Sequence, residues 1–237
     1  MKNIKKTLSK TFVHNVYNNI YQEIDGYEIS KNGREKQNLT EASLLYGEIP
    51  FKTLQEIVEE IQPNLSGVCY DLGSGTGRAV MQLQLLYDFS KVVGIELIES
   101  LYLQALESQN KLRKTGEKYL EITNKITESP AEFRCESFFD SNFSDADFIL
   151  MNHPFKGEEK FLELEEKIIA QLKPGCKIAT IIRSLKNPKF QLLSSIKRKF
   201  SWGEATVHSS VFLPENLPEN LPENLPENLP ENLSENS

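Results

Sequence analysis

Residues 69–77 read Cys-Tyr-Asp-Leu-Gly-Ser-Gly-Thr-Gly. A short apolar run, Val68 to Tyr70, stops at an acid, Asp71. Glycines follow at every second position, Gly73, Gly75 and Gly77, and Arg78 to Leu86 then carries a helical pattern. The stretch is a strand, a tight loop and a helix start. Glycine lacks a Cβ and tolerates positive φ, so such a loop lets a ligand approach the backbone closely. The dinucleotide fingerprint is spaced G-x-G-x-x-G and seats a pyrophosphate on the helix N-terminus. Here the spacing is G-x-G-x-G, and an acid sits two residues before the first glycine. A carboxylate at that point suits a ligand with a cationic group rather than a phosphate.

The next element falls where a nucleoside site needs it. Lys91 to Glu96 (Lys-Val-Val-Gly-Ile-Glu) is a second apolar strand that ends in an acid, 19 residues after Gly77. In nucleotide-type sheets an acid at that position, roughly 20 residues on, accepts hydrogen bonds from the ribose hydroxyls. S-adenosylmethionine meets both conditions: it has a ribose, an ammonium and a sulfonium, and no phosphate.

Working outward, strands and helices alternate. Phe51 to Ile61 and Glu99 to Leu112 read as helices. Phe133 to Cys135 is a third strand, and Asp147 to Met151 a fourth that ends at Asn152. Glu158 to Leu172 is a helix closed by Pro174-Gly175, Lys177 to Ile182 a fifth strand, and Ala205 to Phe212 part of a last hairpin. This alternation implies a mostly parallel sheet with helices on both faces, an α/β fold. Ligands bind at the carboxyl ends of such strands, where Asp71, Glu96 and Asn152 converge. Upstream, Val13, Tyr17, Ile20 and Ile24 share one face of an amphipathic helix over 11–24, and the polar residues 25–41 read as a loop.

Composition sets bounds. The 237 residues suffice for one ordinary domain plus tails. Hydrophobic content of 39% supports a core. No apolar run approaches the roughly 18 residues of a membrane span, and the basic start (Met1, Lys2, Lys5, Lys6) leads into no apolar segment of a secretory signal. Cys69, Cys135 and Cys176 are odd in number and far apart, and read as small core residues of a reduced protein, with no metal site. The formal charge of −7 is misleading. From Leu213 the chain repeats Leu-Pro-Glu-Asn five times and ends Leu-Ser-Glu-Asn-Ser, with six glutamates and no Lys or Arg. A proline in every fourth place forbids a helix interior, and one apolar side chain per repeat buries no core, so 213–237 is expected to be disordered. Without those six glutamates the chain carries 27 basic and 28 acidic residues. Its one basic stretch, Arg183 to Lys199, has six Lys or Arg and no acid. It reads as a docking surface for an acidic partner or a phosphate backbone or, more plainly, as a solvated loop and helix face.

Three further segments narrow the class: Tyr46-Gly47-Glu48, Asn152-His153-Pro154-Phe155, and Ser201-Trp202-Gly203-Glu204-Ala205-Thr206-Val207. In this order and spacing, with the glycine loop, they resemble the non-SET lysine methyltransferases of the disruptor-of-telomeric-silencing (DOT-one) family and its small relatives. The resemblance covers about residues 44–212, between an N-terminal helix and loop (1–43) and the repeat tail (213–237). It implies a Rossmann-like class I methyltransferase with a seven-stranded sheet and S-adenosylmethionine as cofactor. By resemblance, Tyr46 and Glu48 lie in a loop wrapping the cofactor. Asp71, Leu72, Gly73, Ser74, Gly75, Thr76 and Gly77 hold its methionine end, and Glu96 holds the ribose. Ser137-Phe138 stands where the family has an Asp-Phe pair meeting the adenine, so the acid is missing, with Glu136 next to it. Ile49 stands where the family often has Thr.

The implied chemistry is direct displacement at a sulfonium methyl. It asks the protein mainly to place a neutral nitrogen in line and to exclude water. Asn152 is the candidate to orient the nucleophile, and Phe155 and Trp202 the candidates to line its channel; plain core packing is their alternative. The implied partner is a protein bearing a lysine, histones among the candidates, in the cytoplasm or, for chromatin, the nucleus; no membrane partner is expected. A second reading takes Asn152-His153-Pro154-Phe155 as the Asn-Pro-Pro-aromatic stretch of amino-methyltransferases that act on planar nitrogens, adenine in nucleic acid or a glutamine amide. The near-neutral fold speaks against a nucleic-acid partner, whereas the basic stretch Arg183 to Lys199 leaves one open, so nucleic acid is the less favoured partner. A third reading, a cofactor-binding module without catalysis, conflicts with the intact loop and Glu96.

Overall fold

The computed structural model describes residues 8–39, 46–152 and 157–214. The repeat tail from residue 215, and His153, Pro154 and Phe155, lie outside the described residues. The described elements run α1 (Lys10–Tyr21), α2 (Gly26–Lys36), α3 (Phe51–Ile61), β1 (Val68–Leu72), α4 (Arg78–Leu86), β2 (Lys91–Glu96), α5 (Glu99–Gly116), α6 (Leu120–Glu128), β3 (Ala131–Cys135), β4 (Ala146–Asn152), α7 (Glu158–Gln171), β5 (Lys177–Ile181), β6 (Phe190–Phe200) and β7 (Gly203–Phe212). They build one seven-stranded sheet in the order β3-β2-β1-β4-β5-β7-β6. β1 to β5 are parallel, and β7 runs antiparallel to both its neighbours.

Strand order reverses at β1, where the chain winds first toward β2 and β3 and later toward β4 and β5. A crevice therefore opens between the carboxyl ends of β1 and β4. The central strands are buried on both faces, which is why they read as near-continuous apolar runs. Alternate residues serve alternate faces. Cys69, Val92, Phe148 and Leu150 pack with α3 and α4, whereas Tyr70, Val93, Ile149 and Met151 pack with Phe161, Leu164 and Ile168 of α7. A third cluster joins Val13, Val16, Tyr17 and Ile20 of α1 to Met81 and Leu85 of α4, Leu112 of α5 and Ile122 of α6.

Four expectations change. The polar stretch 25–41 contains a helix, α2, whose N-cap Asp25 accepts from the backbone N–H groups of Tyr27 and Glu28. It carries little apolar surface because it docks through glycines: a Cβ on Gly26 would lie 2.1 Å from the Tyr46 hydroxyl, and one on Gly33 would lie 2.0 Å from Ser100 Oγ. Residues 120–128 form the unanticipated α6. The basic stretch holds no helix. It is a loop followed by the edge strand β6, and its charges are dispersed: Lys186 pairs with Glu158, and Arg198 with Glu56 and Glu60. Finally, Cys69 and Cys176 are buried, but Cys135 is exposed at the end of β3.

Candidate active site

The glycine loop turns back over β2, with Gly73 and Ser74 N–H both donating to Ile95 O at 2.9 and 3.0 Å. Glu96 lies behind it as a clamp. Its Oε2 accepts from Gly75 N–H and its Oε1 from Ile98 N–H, each at 2.8 Å. Burial raises the Glu96 pKa, against the lowering effect of these backbone donors. Asp71, 3% exposed, has no hydrogen-bond or ion-pair partner among the described residues. Burial first, and then the Glu96 carboxylate, push its pKa up to about 7. A buried, unpaired carboxylate at a strand end is costly alone and is relieved by a cation.

Facing the loop, residues 46–49 form the other wall. The Tyr46 ring lies against Gly75, where a Cβ would come within 2.8 Å of it. Its hydroxyl donates to Glu48 Oε1 at 2.9 Å and sits 3.2 Å from Thr76 Oγ1. Burial, then Glu48, raises the Tyr46 pKa, so the hydroxyl stays a donor. Glu48 also pairs with Arg78 Nε at 2.8 Å. The wall is tied to the β6–β7 turn: Ser201 Oγ accepts from Glu48 N–H at 3.0 Å and lies 2.6 Å from the Tyr27 hydroxyl. Trp202 stacks on Phe200 (4.7 Å, 20°) and rests on Gly47, leaving the indole 38% exposed.

Between the walls is a narrow, partly open cleft. Of the expected residues, Tyr46, Glu48, Asp71, Gly73, Ser74, Gly75, Thr76 and Asn152 line it. Asn152 Nδ2 donates to Gly47 O at 2.9 Å, which fixes the amide and leaves its Oδ1 buried without a partner. The other expected residues among those described, Leu72, Gly77, Glu96, Ser137, Phe138 and Trp202, are not in the lining. Leu72 is core on the α7 side. Gly77 packs under Phe133 and Ala105. Ser137 and Phe138 lie just past β3, whose following Glu136 N–H donates to Glu96 O; Ser137 Oγ accepts from Phe139 N–H, and Phe138 packs on the core. The neighbouring Glu136 carboxylate accepts from Ser141 Oγ at 2.7 Å. The sequence reading missed Gly47, Ile49, Arg78 and Ala79, which also line the cleft. Arg78 had a signal, a cation directly after the last glycine of the loop.

The set fits S-adenosylmethionine: an unpaired acid for a cation, an orphaned amide oxygen, and a loop open at Gly73, where a Cβ would meet nothing within 4 Å. Glu96 organises the loop, so Glu96→Ala is expected to weaken cofactor binding about tenfold or more, the effect of losing charge-assisted hydrogen bonds. Calorimetric titration measures it, and an unchanged affinity refutes the assignment.

The family described as Histone methylation protein DOT1 matches residues 31–207. Two curated relatives are histone-lysine N-methyltransferases, H3 lysine-79 specific. The one from Eremothecium gossypii is 26% identical over 182 residues, 74% of this chain and 30% of its own length. The one from Candida glabrata is 26% identical over 181 residues, 74% of this chain and 26% of its own length. The chain thus spans under a third of the relatives it matches. Among solved structures, an RNA methyltransferase from Salinibacter ruber in complex with S-adenosyl-L-homocysteine has TM-score 0.53 at 23% identity, covering 73% of this chain and 98% of that one. A putative RNA methyltransferase from Pyrococcus horikoshii has TM-score 0.54 at 13% identity, covering 86% and 100%. These likenesses bear on the fold alone.

Proposed function

The chain belongs to the family of histone methylation protein DOT1, and we propose that it transfers a methyl group from S-adenosylmethionine to a lysine amine of a protein, with histones as the acceptor class. The observation that carries this reading is the buried, unpartnered Asn152 Oδ1 at the carboxyl end of β4, in the same cleft as the unpaired Asp71. When bound, the cofactor supplies a methyl on a sulfonium centre. Asp71 and Glu48 favour its cationic end, Glu96 and the glycine loop its ribose side, and Ser137 with Phe138 its adenine. Asn152 Oδ1 accepts a hydrogen bond from the incoming amine. A lysine must arrive neutral, and desolvation against Ile49 and Trp202 favours loss of its proton. A histone acceptor would place this activity on chromatin, in a nucleus.

Labelled-methyl transfer to nucleosomes, free histones, bulk cell protein and RNA, with mass spectrometry of the products, tests the reading. Label on protein lysine is expected. Label on adenine or glutamine amide, with none on lysine, refutes it. Within the same assay, Asn152→Ala is expected to lower turnover about tenfold, the loss of one hydrogen bond to the acceptor. Cofactor affinity is expected to change far less, and an equal loss of both would assign Asn152 to the cofactor instead.

A further inference from the structure

We infer that the glutamate repeat following residue 214 docks along the outer face of the β6–β7 hairpin, with Lys197 and Lys199 as its receiving charges, and so holds that face against other anions. Docking here does not depend on the reaction proposed above. Leu192, Ser195, Lys197 and Lys199 share one side of β6, because their partners are alternate residues of β7, from Ser210 to Glu204. All four are exposed, Leu192 at 53%. The cations of the basic stretch divide by side. Arg198 pairs with Glu56 and Glu60, and Lys186 of the preceding loop with Glu158, whereas Lys189, Lys197 and Lys199 have no ion-pair partner among the described residues. Glu204, across from Lys199, is the one acid among the paired positions of this face.

The chain leaves the sheet beside this face. Leu213 N–H donates to Lys189 O at 2.7 Å, so residues 213–214 lie at the start of β6. Beyond them a glutamate stands at every fourth position, 215, 219, 223, 227, 231 and 235, with no Lys or Arg. An extended, proline-containing chain advances about 3.1 Å per residue, so the eight residues from Glu215 to Glu223 reach about 25 Å. Lys189 and Lys197 are also eight residues apart, about 26 Å along a strand. The repeat is therefore long enough to follow β6 to its far end, where the Ser201–Trp202 turn meets residues 47 and 48.

Composition suits the contact as well. Each repeat offers one leucine and one glutamate, and the face offers the exposed Leu192 followed by the two lysines. A proline in every fourth place lacks the N–H that ladder pairing needs, so the contact runs through side chains and adds no regular eighth strand. One exposed ion pair is weak. A tether changes the arithmetic: it holds the glutamates at an effective concentration in the millimolar range, so that several weak contacts act together. An acidic partner must then displace the repeat to reach Lys197 and Lys199. The competing explanation is that these lysines only guard the sheet edge against pairing with other chains.

Zero-length cross-linking of the full chain separates the two. A water-soluble carbodiimide condenses a carboxylate and an amine in contact into an amide and takes up the water as its urea. Mass spectrometry is expected to find Lys197 and Lys199 joined to glutamates of the repeat. Their yield is expected to exceed that of Lys114, exposed on α5 between β2 and β3, by roughly fivefold or more. Raising the salt from about 0.05 M to about 0.5 M is expected to abolish the difference, because exposed charges are then screened. A full-length variant with all six repeat glutamates changed to Gln is expected to lose these links, and any that remain at Lys199 belong to Glu204. An equal mixture of isotope-labelled and unlabelled protein is expected to give links within one copy. Yields that follow lysine exposure alone, an absence of links to the repeat, or links that survive the glutamine variant overturn the inference. Links found only between copies overturn it in favour of a second chain as the occupant.

Discussion

Asp71→Asn is expected to raise the melting temperature of the ligand-free protein at pH 8 while lowering its affinity for S-adenosylmethionine about 100-fold. The two effects share one cause. Burial and the nearby Glu96 carboxylate hold the folded Asp71 pKa at about 7, above the roughly 3.9 of an unfolded aspartate. Between those values the folded state binds the proton more tightly than the unfolded state. Stability from this group is therefore greatest below about pH 4 and declines as pH rises to 7, beyond which the full cost of the buried charge remains. Three pKa units correspond to something on the order of 4 kcal/mol. Asn removes that charge, and a few kcal/mol recovered shifts the melting temperature by several degrees in a chain of this size. A cationic ligand needs the charge back. Wild-type affinity is accordingly expected to rise as pH passes upward through 7, and the Asn variant to show a flat profile. Thermal melts and calorimetry at pH 6 and pH 8 check both. A lower melting temperature for Asp71→Asn at pH 8 would show that the carboxylate stabilises the empty fold.

The second large effect concerns Gly77. Its φ is +81°, and a Cβ there would lie 2.7 Å from the Phe133 ring and 3.0 Å from Ala105 Cβ. Gly77→Val adds left-handed backbone strain to overpacking between α4, β3 and α5, together about 2–5 kcal/mol. A drop in melting temperature on the order of 10 °C is expected. Gly73→Ala is the control. Its φ is +85° but the space around it is open, so only the backbone cost of about 1–2 kcal/mol applies. Equal destabilisation by the two would show that contact with Phe133 is not what reserves position 77 for glycine.

The sites of these two variants were legible in the sequence because chemistry and chain geometry coincide there: an apolar run, an acid, then glycines. The adjoining strands were legible because burial on both faces makes them uninterrupted. Elsewhere the structure uses signals that composition does not display. α2 docks by backbone proximity at Gly26 and Gly33, so it lacks the apolar period of a core helix. β6 is an edge strand, and its Lys197, Arg198 and Lys199 read as a solvated stretch; such charges are a usual guard on a sheet edge. Arg78 was passed over because its partners, Glu48 and the Ile24 carbonyl, lie 30 and 54 residues away. Leu72 was assigned to the cofactor loop, whereas the side-chain alternation of β1 sends it to the opposite face, into the core.

The position of β7 sets the order in which the protein can be built during synthesis. The last of the seven described strands lies between β5 and β6, so β6 has no place to dock until residues 203–212 have emerged. Until then the nascent chain presents the open side of β5, with Ile178 and Ile181, and an unattached β6, a combination prone to mispairing with other chains. The same strand holds the Trp202 turn against Gly47, so the wall formed by residues 46–49 is braced only at that last step. A newly made chain therefore gains its sheet and its braced cleft together, and lesions in β7 are expected to reduce the yield of folded protein before they alter ligand binding.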